Sequence, residues 1–270
     1  MQTLSVNGYD MAYLEIGTGR PLVCVHGTLG DFRTWSAVMG PLSKNHRVIS
    51  VSLRHFFPEL WDGVGDDYLM AQHIADTIGF LEKLGDGPVD LMGHSRGGHI
   101  AFRTAQLRPD LLRRLILAEP GGELDATLDP TAVPDGASQR AARFAAAASK
   151  VADGDIEGAL KLFFDTIEGD GAWGRLPAAP KQQLRDNVFT LIGQAGENRK
   201  PYAKADAQMI NTPTLFIGGA ATKGSLPAVL RALAPQVPGA KTAMIEGAAH
   251  WMFEQAPEQF SAIVTEFLMG

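Results

Sequence analysis

A serine at the junction of a predicted strand and a predicted helix is the residue best placed for covalent chemistry. The stretch LMGHSRGGHIA places Ser95 in the pattern G-x-S-x-G, between Gly93 and Gly97. An apolar run precedes the serine and small residues follow it, which predicts a sharp strand–turn–helix connection. Free N–H groups at the start of such a helix stabilise developing negative charge. We therefore predict that Ser95 is a nucleophile.

A serine nucleophile needs a general base, and the chain contains seven histidines. His250 stands apart because it follows an apolar run and the small residues Gly247, Ala248 and Ala249. Five others are interpreted as packing, surface or backbone-orienting residues: His26, His46, His73, His94 and His99.

These motifs resemble the α/β-hydrolase superfamily over almost the whole chain. The resemblance rests on the serine turn, an opening hairpin, the His26-Gly27 turn, a helical segment and the C-terminal stretch GAAHWMFEQAPEQF. It implies that His250 is the general base. It also implies that the backbone N–H groups of Thr28 and Arg96 form the oxyanion hole, in which each donor typically lowers the barrier by about 3 kcal/mol.

The resemblance further implies a carboxylate after the seventh predicted strand, and none is there. The stretch TLFIGGAATKGS has Thr222 near the usual place, and a threonine cannot balance the charge of an imidazolium. Glu119 ends the sixth predicted strand, where some branches of the superfamily carry their acid, including certain haloalkane dehalogenases and the fungal lactonase that opens the zearalenone ring. We predict that Glu119 completes the triad, although an acid there also occurs in relatives with the usual acid. Glu123 and Asp125 are weaker candidates.

Strand and helix patterns alternate along the chain, which predicts an α/β fold with a mostly parallel sheet flanked by helices. Eight runs are interpreted as strands: QTLSVN, YDMAYLEIG, PLVCVHG, HRVISVSL, PVDLMGH, LRRLILAE, PTLFIGG and KTAMIEG. Residues 125–206 show helical patches and no strand pattern. We predict that 1–124 and 207–270 form an α/β-hydrolase core and that 125–206 are a helical cap inserted into it.

Two groups of residues are candidates for a substrate pocket. Arg54 and His55, in the loop LRHFFPELWDG, either anchor a polar substrate group or tie down the loop, and we prefer the second interpretation. Aromatic residues either line an apolar pocket or form the core of the cap: Phe32, Phe163, Phe164, Trp173 and Trp251. We expect the Arg96 side chain to pair with an acidic residue rather than to touch substrate.

Composition narrows the class of protein. The net charge of −6 argues against a nucleic-acid surface, and the single cysteine, Cys24, cannot form an internal disulfide. The sequence shows no signal-peptide pattern, no apolar run long enough for a membrane helix and no cofactor-binding or metal-ligand motif. We therefore expect a cytoplasmic protein, a monomer or homodimer, with no cofactor, no metal and a small-molecule substrate.

The combined prediction is a serine hydrolase that cleaves a carboxylic ester or lactone through Ser95, His250 and Glu119. Three alternatives remain open. Hydrolysis of a C–C bond in a diketone-like substrate uses the same triad. A cofactor-independent dioxygenase would use the Ser–His pair to deprotonate a heteroaromatic substrate. A ligand-sensing protein would keep the triad but turn over slowly.

Overall fold

The computed structural model describes residues 1–132 and 139–270. The strands are β1 (Gln2–Val6), β2 (Tyr9–Ile16), β3 (Pro21–Val25), β4 (Arg47–Val51), β5 (Val89–His94), β6 (Leu112–Ala118), β7 (Thr214–Gly219) and β8 (Lys241–Ile245). The helices are α1 (Ser36–Leu42), α2 (Met70–Leu84), α3 (Arg96–Leu107), α4 (Gln139–Ala152), α5 (Ile156–Glu168), α6 (Ala172–Arg175), α7 (Ala178–Asp186), α8 (Thr190–Ala195), α9 (Lys204–Gln208), α10 (Ser225–Leu233), α11 (Met252–Gln255) and α12 (Pro257–Met269).

The strands form one eight-stranded sheet in the order β1-β2-β4-β3-β5-β6-β7-β8. β1 and β2 are an antiparallel hairpin around Asn7 and Gly8, and β2 is also antiparallel to β4. All other neighbouring strands are parallel, from β4 through β8. The predicted mostly parallel sheet flanked by helices is confirmed.

The central strands are buried on both faces, as their continuous apolar runs predict. In β3, Leu22 and Cys24 belong to one hydrophobic cluster, whereas Val23 and Val25 belong to the other. This period of two follows from the alternation of side chains along a strand. Because both faces are covered, the functional groups must lie at the ends of the strands. No helix in the described part of the chain is long and apolar enough to cross a bilayer.

The segment between β6 and β7 contains α4 to α9, and we call α4–α8 the insertion helices. α4 packs against α5 and α8. The two chain segments that lead into and out of the insertion are paired by a parallel bridge between Leu124 and Tyr202. Most of the predicted cap lies within these helices, but residues 133–138 lie outside the described residues. The division into core and cap stays a prediction.

Candidate active site

Ser95 lies on a tight turn between β5 and α3, in a backbone conformation that is costly for a residue with a side chain. Its φ is 51° and its ψ is −115°. Such strain persists only where the surroundings fix it. Here the Ser95 N–H donates to the Ala118 carbonyl at 3.0 Å, and the Ser95 carbonyl accepts from the Gly121 N–H at 2.8 Å. The strand–turn–helix connection is confirmed, and the nucleophilic role of Ser95 stays a prediction.

The glycines of the motif are required by close backbone approaches. A Cβ added to Gly97 would lie 2.3 Å from the Val25 carbonyl oxygen, and one added to Gly93 would lie 2.2 Å from the Gly97 carbonyl oxygen. Gly27, which precedes Thr28, would meet His94 Nδ1 at 2.9 Å. The turn therefore packs against its neighbours backbone to backbone.

We expect Gly97→Ala to destabilise the fold by about 2–3 kcal/mol, because the new methyl group forces the turn away from β3. Gly174→Ala is the matched control, since its Cβ would have no atom within 4 Å. We expect that control to be neutral or slightly stabilising. Urea unfolding of both variants measures the difference, and equal free energies of unfolding would contradict the packing argument.

His250 and Glu119 are in direct contact. His250 Nδ1 lies 2.6 Å from Glu119 Oε2, and both side chains are almost fully buried. Because a carboxylate only accepts hydrogen bonds, this contact places the imidazole proton on Nδ1 and leaves Nε2 free to take a proton. The pair thus has the geometry that a triad requires of its base and acid.

Glu119 is held by the strand on which the acid was first expected. Its Oε1 accepts the N–H of Gly219, the last residue of β7, at 2.9 Å. Its own backbone adopts a φ of 42°, in the left-handed region. Thr222 Oγ1, by contrast, is buried and has no hydrogen-bond partner among the described residues. Asp125, a weaker candidate acid, accepts the N–H of Thr127 at 2.9 Å.

The two predicted oxyanion donors come from different loops, since Arg96 belongs to the serine turn and Thr28 follows β3. Arg96 is the first residue of α3, where a backbone N–H has no carbonyl partner within the helix. Thr28 lines the same cavity as Ser95. Its hydroxyl donates to Gln194 Oε1 at 2.8 Å, which links the turn to α8. Their function as oxyanion donors stays a prediction.

Two further histidines support the site as neutral groups. His26 donates from Nδ1 to the Gly27 carbonyl at 2.8 Å and accepts the Leu53 N–H on Nε2 at 3.1 Å. Burial lowers the pKa of His26 to about 4. His94 donates from Nε2 to the His250 carbonyl at 3.0 Å, and its burial, together with the nearby His250, holds its pKa well below the usual value. Both therefore orient backbone, as expected.

The Arg96 side chain is buried in an ion-pair cluster that joins the serine turn to the insertion. Its guanidinium lies 2.5 Å from Glu197 Oε1, and both side chains are fully buried. It also donates to Nδ1 of His73 at 2.7 Å. The other Glu197 oxygen accepts from Arg199 at 2.9 Å. The expected pairing of Arg96 with an acid is confirmed, and two guanidinium groups share one carboxylate.

The loop that carries His250 is also tied to the insertion. The Ala249 N–H donates to Gln255 Oε1 at 2.6 Å, and the Gln255 amide donates to Glu168 at 3.0 Å. Burial raises the pKa of Glu168, and burial with the charge of Glu168 raises the pKa of Glu254 to about 7. Glu168 ends α5, so the insertion helps to position the catalytic-histidine candidate.

A small cavity of about 40 Å³ contains the reactive groups. Core and insertion both contribute to its lining, which comprises Thr28, Ser95, Gly121, Gly122, Arg143, Phe144, Phe163, Ile167, Arg199, Ser225, Leu226 and His250. Of the seven predicted pocket residues, Phe163 lies in this lining. Arg143 and Arg199 were not predicted, because no motif or periodicity distinguishes them from surface arginines.

The remaining predicted pocket residues lie in packing or loop contacts. Arg54 pairs with Asp76 at 2.8 Å, and His55 bridges Glu59 and Asp67, so both tie down their loop, as we preferred. The aromatic residues lie against other rings, at centroid distances of 5.9 Å for Phe32 and Phe57, 6.2 Å for Phe164 and Trp173, and 5.6 Å for Phe164 and Trp251. The four remaining predicted aromatic residues are buried and are absent from the lining of this cavity, and their assignment to a substrate pocket stays a prediction.

Comparison with known proteins identifies the family. The family model described as the alpha/beta hydrolase family matches residues 22–263. An sn-1-specific diacylglycerol lipase of Mus musculus is 28% identical, over 92% of this chain and 80% of its own. The (E)-2-((N-methylformamido)methylene)succinate hydrolase of Acinetobacter baylyi is 24% identical, over 97% of this chain and 95% of its own.

The solved structures agree on the fold. The enol-lactonase from Burkholderia xenovorans LB400 superposes with a TM-score of 0.80 at 19% identity, and the match covers 99% of this chain and 100% of the other. At that identity the likeness speaks for the fold alone. Together with the family match over most of the chain, it shows that this protein belongs to the α/β-hydrolase family.

Proposed function

We propose that this protein hydrolyses a carboxylic ester or lactone through Ser95, His250 and Glu119. The observation that carries the proposal is the 2.6 Å contact between His250 Nδ1 and Glu119 Oε2, with Ser95 and His250 lining one cavity. A serine on a strained turn, a histidine with a free Nε2 and a buried acid are the three parts that acyl transfer requires.

The reaction proceeds in two steps. Ser95 Oγ attacks the carbonyl carbon while His250 Nε2 takes the hydroxyl proton, and the oxyanion accepts hydrogen bonds from the N–H groups of Thr28 and Arg96. The tetrahedral intermediate collapses, and His250 gives its proton to the leaving alkoxide. Water then attacks the acyl-enzyme with His250 as base, which releases the acid and restores Ser95.

The insertion serves as a cap in this proposal. Four of the residues that line the cavity lie on α4 and α5: Arg143, Phe144, Phe163 and Ile167. A volume of about 40 Å³ is far below the ~300–1,000 Å³ of sites for drug-sized ligands. A compact substrate fits the closed arrangement best, and a long acyl chain would require the insertion helices to move.

Two relatives support the reaction class. The mouse relative is named as a lipase, and the Acinetobacter relative is named as a hydrolase of a substituted succinate. The class that both names share is hydrolysis, and we extend that class to this chain without taking over either substrate.

Labelling with a fluorophosphonate tests the nucleophile. We expect one adduct, located on Ser95 by peptide mass spectrometry, and no adduct in Ser95→Ala, because only a serine beside a base reacts readily. A panel of short and long acyl esters with small and macrocyclic lactones then defines the substrate class. Labelling elsewhere would exclude Ser95, and oxygen uptake without ester turnover would favour the dioxygenase alternative.

A further inference from the structure

Two guanidinium groups line the cavity of Ser95 and His250, and the proposed hydrolysis uses neither. Arg143 lies on α4, and Arg199 lies between α8 and α9. The described residues of the lining include these two arginines and His250 but no carboxylate. The side chains that line the cavity therefore include two guanidinium groups and no negative charge, while Glu119 lies behind His250 and Glu197 lies beside Arg199.

Arg199 is buried without enough partners for its N–H groups. Its side chain is 4% exposed, and one terminal nitrogen donates to Glu197 at 2.9 Å. Its Nε is buried and has no hydrogen-bond partner among the described residues. A buried N–H without an acceptor is unfavourable, so the arrangement favours a ligand oxygen at this point.

The charge of Arg199 is not neutralised by Glu197. That carboxylate also holds the fully buried guanidinium of Arg96 at 2.5 Å. One negative charge therefore serves two positive charges, and the cluster keeps a net charge of about +1 in a region from which water is largely excluded. An anion bound in the cavity would supply the missing charge.

Arg143 adds a second cation, for which the described residues supply no ion-pair partner. No ion pair or hydrogen bond joins its guanidinium to another residue of the described chain, and burial lowers its pKa below the usual value. Arginine side chains are almost never fully buried without a partner, and burial of a charge is unfavourable unless the charge is paired. Arg143 is partly buried, has no acidic partner in the described ranges 1–132 and 139–270, and lines the cavity.

We propose that Arg143 and Arg199 form a subsite for a carboxylate group of the substrate, so that the site acts on esters or lactones with a free carboxylate. The inference rests on the proposed function and names the substrate class. A guanidinium presents a planar fork of donors that matches a carboxylate, and the small cavity suits a compact planar anion. Anchoring the carboxylate would also fix the position of the reacting carbonyl relative to Ser95.

Matched pairs of esters test the subsite. Nitrophenyl hydrogen glutarate is compared with nitrophenyl pentanoate, and 4-(butyryloxy)benzoate with 4-(butyryloxy)benzamide, so that the carboxylate lies on the acyl side or on the alcohol side. In at least one pair we expect kcat/KM to favour the charged member by about 10- to 100-fold, the range for one or two charge-assisted hydrogen bonds.

Arginine variants show whether this preference comes from the subsite. We expect Arg143→Gln and Arg199→Gln each to reduce the charged-to-neutral ratio by about tenfold or more. Arg175→Gln removes a charge from an exposed residue of α6 outside the cavity lining and should keep the ratio. Because the ratio compares two substrates on one preparation, partial misfolding lowers both rates and leaves it unchanged.

Binding of glutarate to Ser95→Ala, measured by calorimetry, separates this inference from the proposed function. If no ester is hydrolysed and Ser95 is not labelled, the proposed function fails. The subsite is still supported in that case if glutarate binds Ser95→Ala and binds about tenfold more weakly to the double variant Ser95→Ala/Arg143→Gln. If neutral esters are hydrolysed as well as charged ones, or if both variants keep the ratio, the subsite is wrong and the hydrolase stands.

Discussion

Glu119→Gln is expected to lower kcat for a hydrolysed ester by about 10⁴-fold, with a much smaller change in KM. The glutamine oxygen would keep the hydrogen bond from the Gly219 N–H, now 2.9 Å long, and would turn its amide group toward His250 Nδ1. An amide donates at that point, so the imidazole must carry its proton on Nε2. The histidine then holds the wrong tautomer and cannot take the proton of Ser95.

Thr222→Ala is the matched control for that variant, since Thr222 is the residue near the usual place of the acid. Its hydroxyl has no hydrogen-bond partner among the described residues, so we expect kcat to change less than threefold. Steady-state kinetics with one ester, on variants of equal stability, gives both numbers. A large loss in Thr222→Ala with little loss in Glu119→Gln would return the acid to the end of β7.

The position of Glu119 was predictable because it depends on the order of strands. A parallel sheet aligns the carboxyl ends of β5, β6 and β7 at one edge, so the residue that follows β6 lies between the serine turn and the end of β7. The apolar runs mark the strands and the glycine spacing marks the serine turn, so these features are visible in short stretches of the sequence. For the same reason the strands, the hairpin and the turn around Ser95 agreed with their patterns.

The contacts of the insertion were not predictable in the same way. Glu197 lies 101 positions from Arg96 in the chain, and nothing in the stretch GENRKP distinguishes it from an exposed loop. The positions of Arg143 and Arg199 in the cavity could not be predicted for the same reason. A contact between residues far apart in the chain leaves no periodic pattern in the sequence. For the aromatic residues the sequence left both pocket and core open, and in the structure Trp173 and Phe164 pack against each other.

The ion-pair cluster of Arg96, Glu197 and Arg199 connects the insertion to the serine turn. Arg96 follows the nucleophile directly, and its side chain binds Glu197 of the insertion. The segment from Glu123 to Asp125 is paired with Tyr202 through backbone hydrogen bonds of 2.8 and 2.9 Å. The serine turn, the segment that follows β6 and the base of the insertion are therefore joined, so a change at Glu197 should affect the whole fold.

Glu197→Gln is expected to reduce the free energy of unfolding by about 3–5 kcal/mol. The variant removes the only negative charge in a cluster that contains the fully buried Arg96 and the nearly buried Arg199. Two cations then remain in a medium where water cannot solvate them, and their repulsion adds to the lost attraction. Urea unfolding followed by circular dichroism measures the change, and a thermal scan should show Tm lower by roughly 10 °C.

Glu157→Gln provides the control, because it removes the same charge from an ion pair on the surface of the insertion. Glu157 and Arg185 are 56% and 36% exposed, and exposed pairs contribute only about 0.2–1 kcal/mol. The difference between the two losses in the free energy of unfolding therefore measures the effect of burial, because both variants remove the same charge. Equal small losses in the two variants would mean that water reaches the Arg96 cluster, and the unpaired charge that attracts a substrate carboxylate to Arg199 would then be screened as well.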